Sequence, residues 1–243
     1  TLEDYRTLYR SYLEDPDLQD ARARWPFVCV WDNHEFAWAG YQSQYVAGGA
    51  YNAPAQNQKV FAKQAWWEFI PATVQQPGNP KLKYFKAPVV IDTPLEQFNE
   101  DGLSEEPNNL LAIHSLKIQR VLRWGKNVDV LLTDNWSFRS PDMSSDDFYI
   151  PEYPRVSPQV PFEIMNYGRH YNGDQPPDTI RFNGTDFPNP TKDVHAQTFL
   201  GSEQRRWFMD QLGASTARWK IWGHTFGTME VRSDYQNLPD DMG

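Results

Sequence analysis

The sequence has one cysteine, Cys29, in 243 residues, so no disulfide forms within the chain. Basic residues are in the minority: 23 Lys and Arg against 32 Asp and Glu give a formal net charge of −9. That balance disfavours a protein held on nucleic acid by a basic surface. It leaves anionic substrates open, because a metal ion supplies positive charge locally. No apolar run reaches the ~20 residues that cross a bilayer, so no membrane span is expected. No secretory leader is visible, and the chain begins with Thr1 rather than Met, so we expect the natural start to lie upstream. Internal repeats are lacking as well. Aromatics are plentiful, with 10 Trp, 12 Tyr and 14 Phe, enough for a heavy core or a lined cleft.

Leu2, Tyr5, Leu8, Tyr9 and Tyr12 recur at helical spacing, and Asp15-Pro16-Asp17 breaks the pattern. A short helix is expected over Asp17–Ala23, ended by Pro26. Residues 27–31 are a continuously apolar run that reads as a strand buried on both faces. Residues 57–69 read as a helix with Val60, Phe61, Ala65, Trp66 and Phe69 as its apolar set. Residues 75–94 read as a connection, and Leu110–Leu122 fits either a helix or an edge strand. Val128–Leu132 and Arg218–Trp222 are further buried-strand candidates. Between them, 140–198 is rich in Pro, Gly, Asn and Asp and reads as a long irregular insertion. Leu200–Leu212 reads as an amphipathic helix stopped by Gly213. The whole of 1–243 reads as part of one α/β domain.

Each strand candidate ends in polar residues. Asp32-Asn33-His34-Glu35 follows the first, Asp134 the second, and His224 the third. Open α/β sheets bind ligands outside the carboxyl ends of their strands, so the three ends are expected to form one site. Carboxylate, amide and imidazole in four consecutive positions suit hard or borderline cations such as Ca, Mn, Fe and Zn. The competing reading is a polar loop in which Asp32 caps a turn and Glu35 reaches back three residues. Asp134 is more often a turn former or a support than a ligand, and a lone His such as His224 is more often structural. His114, His170 and His195 read as solvated or structural.

Trp31-Asp32-Asn33-His34-Glu35 resembles the WDDHE segment of PhoD-type phosphatases, and more loosely the GNH(D/E) motif of calcineurin-like metallophosphoesterases. The resemblance continues through Leu2–Arg6 and Asp15–Gln19, through Ala65–Pro71, and through Arg123-Trp124-Gly125 with Leu131–Arg139. It ends in Leu200–Gln204 with Ala214–Lys220, all in the family's order. It implies a calcineurin-like sandwich of mixed β-sheets flanked by helices, incomplete at both ends. It also implies a metal-dependent phosphoester hydrolase that uses Ca and Fe, with Mn or Zn as alternatives, and a periplasmic or secreted parent.

Residue by residue, Asn33 matches a metal ligand and His34 the imidazole that contacts the phosphate and protonates the leaving oxygen. Glu35 is then expected to orient His34, and Asp32 is either a ligand or a support for one. His224 matches a metal-binding His of purple acid phosphatases, although close PhoD relatives usually carry Asn or Gln there. Trp136 stands where the family pattern has Arg. The family's upstream Asp and GD motifs have no counterpart here, and Asp240–Gly243 does not supply its late G(D/H)xH motif. A fragment or subunit with no activity of its own is therefore an alternative to an active hydrolase. A carbohydrate-binding module ranks below both, because it leaves the four polar residues after an apolar run unexplained.

Overall fold

Thr1 opens the first helix by accepting the Asp4 N–H while the Asp4 carboxylate reaches back to Thr1, a reciprocal cap. Helix α1 (Leu2–Leu13) follows, and Asp15 with Pro16 starts α2 (Pro16–Arg24). A computed structural model describes residues 1–47, 50–79, 83–141 and 158–226. The Asp240–Gly243 tail and 142–157 lie outside the described residues.

The chain divides into two compact units. Thr1–Pro141 with Thr198–Thr225 forms the first, and Asp142–Gln197 with Phe226–Gly243 the second. The first unit is built around α3 (Gln56–Phe69), which buries residues around most of its circumference. Helix α1 packs on it through stacked Tyr9 and Phe69 rings 5.3 Å apart and a two-pronged Arg6–Glu68 ion pair at 2.6 and 2.7 Å. Ahead of α3, β1 (Gln44–Ala47) and β2 (Ala50–Pro54) form an antiparallel ribbon. On another side lies α4 (Pro107–Ile113), where Val60, Val90 and Ala112 pack into one apolar cluster.

A three-stranded sheet runs in the order β3 (Arg120–Trp124), β4 (Val128–Leu132), β7 (Trp219–Gly223). β3 and β4 are antiparallel, joined by a turn at Gly125. β4 and β7 are parallel and need a crossover, which ends in α6 (Gly201–Ala214). The stretch 110–122 is therefore neither helix nor strand throughout: α4 ends at Ile113 and β3 begins at Arg120.

Two expected burials are corrected. Residues 27–31 run extended without a ladder partner among the described residues, and Phe27 and Val28 are exposed. Their link to the sheet is one bond, from the Arg120 guanidinium to the Cys29 carbonyl at 2.8 Å. β7 forms as expected but is an exposed edge, with Trp219 65% and Ile221 50% accessible. Apolar composition predicts extended backbone; burial needs a covering layer, which the local sequence does not specify.

The second unit is more ordered than its composition suggests. It holds α5 (Gln159–Tyr167), a 3-10 turn at Gly168–His170, and the hairpin β5 (Thr179–Phe182) and β6 (Thr185–Pro188). Ile164, Met165 and Ile180 form its core. The hairpin turns at Asn183-Gly184, both at positive φ, as a two-residue β-turn requires. At Gly168, φ is +53°, and an added Cβ would lie 2.4 Å from the Val194 carbonyl oxygen. Gly168→Ala is expected to destabilise this unit by more than about 2 kcal/mol, since strain and a backbone clash add. Urea unfolding of the variant measures it, and a loss under about 0.5 kcal/mol would contradict the packing described.

Candidate functional site

The Asp32–Glu35 loop is fixed at its start by Trp31, 4% exposed, whose indole N–H donates to Asp134 Oδ1 at 2.8 Å. Asp134 is 1% exposed, and the same oxygen accepts the backbone N–H groups of Trp136 and Ser137 at 3.1 and 2.9 Å. Gln204 of α6 clasps the Asp134 backbone from the other side, bonding both its N–H and its carbonyl at 2.8 Å. Asp134 is thus the support its position suggests, and it holds three elements together.

The end of β7 joins the same place. The Thr133 N–H meets the Gly223 carbonyl at 3.3 Å, and the Trp222 indole donates to Thr133 Oγ at 3.0 Å. Trp31, just ahead of the first polar run, and the end of β7 thus both bond to Thr133–Asp134. His224 follows directly, its ring 4.2 Å from that of Trp222, and partial burial lowers its pKa.

Within the loop, the Asn33 carbonyl accepts the N–H groups of Phe36 and Ala37 at 2.9 and 2.8 Å, closing a tight turn. Asp32 accepts the Asn33 N–H at 2.8 Å, and Glu35 accepts the Asp32 N–H at 2.7 Å. Glu35 therefore reaches back to Asp32, as the turn-capping reading expects. Asp32 and His34 are exposed, and the His34 ring stands edge-on to Trp38 at 5.0 Å. The Asn33 amide is satisfied locally when its oxygen takes the Ala39 N–H at 3.1 Å and its nitrogen faces Asp32 at 3.2 Å.

Donor chemistry fits a hard or borderline cation: a free carboxylate oxygen on Asp32, the second lone pair of the Asn33 oxygen, and imidazoles at His34 and His224. Among the described residues, no three of His, Cys, Asp and Glu are grouped to hold one ion.

Sequence reading missed what lies beneath the loop. Lys59 and Lys63 project from α3 and are each 2% exposed. The Lys59 ammonium sits 4.5 Å over the Phe36 ring and the Lys63 ammonium 5.0 Å over Trp31, the two aromatics that bracket the loop. Lys63 also donates to the Ile113 and Leu116 carbonyls. The signal was there: Gln56, Lys59, Lys63 and Trp66 share one helical face. Long polar residues in phase with a buried Trp mark a charged face turned inward.

Burial pushes Lys59 down to about 8 and Lys63 to about 7, with Asp134 opposing both shifts. For Asp134, burial alone would raise the pKa, but the two ammonium groups and Ser137 outweigh it and lower it. A lysine whose folded pKa falls below its unfolded value penalises the folded state at low pH. The penalty fades as pH rises through the folded pKa toward about 10.4. Stability is therefore expected to rise between pH 6.5 and 9. Thermal melts should show the rise in the wild type and a weaker one in Lys59→Met/Lys63→Met; parallel curves would contradict it.

The family model for PhoD-like phosphatases matches residues 1–241. Alkaline phosphatase D of Bacillus subtilis (strain 168) is 21% identical over 222 residues, covering 91% of this chain and 26% of that protein. The chain thus spans about a quarter of the length of that relative. No solved structure matches. The family model spans nearly the whole chain, so the chain belongs to the PhoD-like phosphatase family.

Proposed function

We propose that this chain is part of a metal-dependent phosphoester hydrolase whose reaction runs at the Asp32–Glu35 loop. The observation that supports the reading is the bond from Trp31, which opens the loop, to Asp134, which follows β4. A calcineurin-like sandwich is the architecture expected around it. By resemblance the parent protein is periplasmic or secreted, and no described helix is long and apolar enough to cross a membrane.

Asn33, His224 and Asp32 are the residues proposed to hold cations, with Ca and Fe first and Mn or Zn as alternatives. A bound cation supplies Lewis acidity, acidifying water and drawing charge from phosphoryl oxygens. The chain's own residues do the rest. The tight turn at Asn33 fixes the amide oxygen, and Glu35 stiffens the turn through the Asp32 N–H. His34, exposed at the loop's outer side, meets the phosphate and donates a proton to the leaving oxygen as water attacks phosphorus in line. In this reading Glu35 acts on His34 through the backbone of the turn.

The partial donor set favours a second reading, a portion that needs ligands from outside the described residues to be active. One experiment addresses both. The protein expressed from its complete gene, and the 243-residue chain alone, are freed of metal, resupplied with Ca, Fe, Mn or Zn, and assayed on p-nitrophenyl phosphate and bis-p-nitrophenyl phosphate. Metal-restored turnover is expected from the complete gene product and little from the chain alone. A complete product inactive with every metal on both esters would overturn the hydrolase reading.

A further inference from the structure

Lys59 is the one group near the loop whose chemistry the roles above leave unused. It is 2% exposed, and its ammonium lies 4.5 Å over the Phe36 ring and makes no hydrogen bond among the described residues. Its neighbour Lys63 is satisfied by two carbonyls. Asp134, the buried anion, already takes three donors on one oxygen. Holding an ammonium on so buried a side chain costs stability that a methionine of similar volume would not.

Lys59 lines a cleft of about 10 Å³ whose other walls include Asp32, Glu35 and Phe36. That is the size of one water and too small for a phosphate. Lys59 therefore acts on the loop through at most one bridging water and through its field. A positive charge beside the loop, present below about pH 8, repels cations held there and attracts oxyanions.

We propose that Lys59 is a specificity-determining residue that biases the Asp32–Glu35 loop toward phosphate oxyanions at the expense of its affinity for cations. It touches neither substrate nor metal. The inference rests on the loop being the site proposed above, and it adds the residue that balances the two ligands.

The test is calorimetric and independent of turnover. The complete gene product and its Lys59→Met variant are titrated with Mn²⁺ alone, then, loaded with Mn²⁺, with inorganic phosphate. One unit charge acting across several ångströms at intermediate dielectric predicts about 3- to 10-fold tighter Mn²⁺ and about 3- to 10-fold weaker phosphate in the variant. Opposite signs are the signature, since a loosened loop would weaken both. Both weakening, or neither changing, overturns the proposal. A wild type that binds neither ligand overturns the reading of the loop as a site, which is a distinguishable failure. Lys59→Gln carries the same two expectations if Lys59→Met does not fold; if neither folds, Lys59 is a structural requirement and the assignment falls.

Discussion

Asp134→Ala is expected to destabilise the first unit by about 3–5 kcal/mol, the cost of removing one partner from a buried charged network. Its carboxylate is the common acceptor for the Trp31 indole and the N–H groups of Trp136 and Ser137. Its charge also faces Lys63 and Lys59. Removing it leaves three donors and two ammonium groups without their anion, inside a unit whose total stability is about 5–15 kcal/mol. Asp134→Asn keeps an accepting oxygen but loses the charge, so its loss should be smaller and should shrink as the lysines deprotonate at higher pH. Urea unfolding followed by tryptophan fluorescence reports directly on Trp31. An Asp134→Ala variant within about 1 kcal/mol of wild type would show that the network does not hold the loop.

His34→Ala is expected to do the reverse, removing activity and leaving the fold intact. His34 is exposed, and its ring contact is with Trp38, itself 66% accessible. Surface substitutions of this kind usually change stability by less than about 0.5 kcal/mol. A positioned proton donor is worth about 10²- to 10⁴-fold in rate, so kcat should fall by that factor. The fall should be steeper for esters with poorly leaving alcohols, which need the proton most. Equal losses on p-nitrophenyl and alkyl esters would assign His34 to phosphate binding rather than protonation. Trp38→Ala leaves the imidazole in place, and its expected effect on kcat is correspondingly small.

These two variants also separate what the sequence made legible from what it hid. Helices α1, α3 and α6 and strands β4 and β7 were readable because their apolar patterns are local, although α6 runs through Gly213, which read as its stop, to Ala214. The parallel β4–β7 pair brings the carboxyl ends of those two strands to one edge. Burial was not readable, because it depends on which layer covers a strand; Phe27, Val28 and β7 read as core and are exposed.

The second unit was hidden for another reason. Its hairpin and short helix carry too many Pro, Gly and Asn for periodicity to register, and the packing of Ile164 against Ile180 is long-range. Within the site, the four loop residues were visible as a run, but the partner of Glu35 was not. The backbone turn at Asn33 directs Glu35 to the Asp32 N–H. Lys59 and Lys63 escaped notice because charged helical residues are normally solvated, and only their phase with Trp66 argues otherwise.

The measurement closest to the central claim is the metal concentration that half-saturates hydrolysis of bis-p-nitrophenyl phosphate, for the complete gene product and for Asn33→Ala. If the Asp32–Glu35 loop holds the catalytic cation, Asn33→Ala raises that concentration at least about 10-fold, a loss of about 1.4 kcal/mol, while its melting temperature stays near the wild-type value. Unchanged half-saturation in a folded Asn33→Ala protein, with turnover intact, would place the metal and the reaction elsewhere.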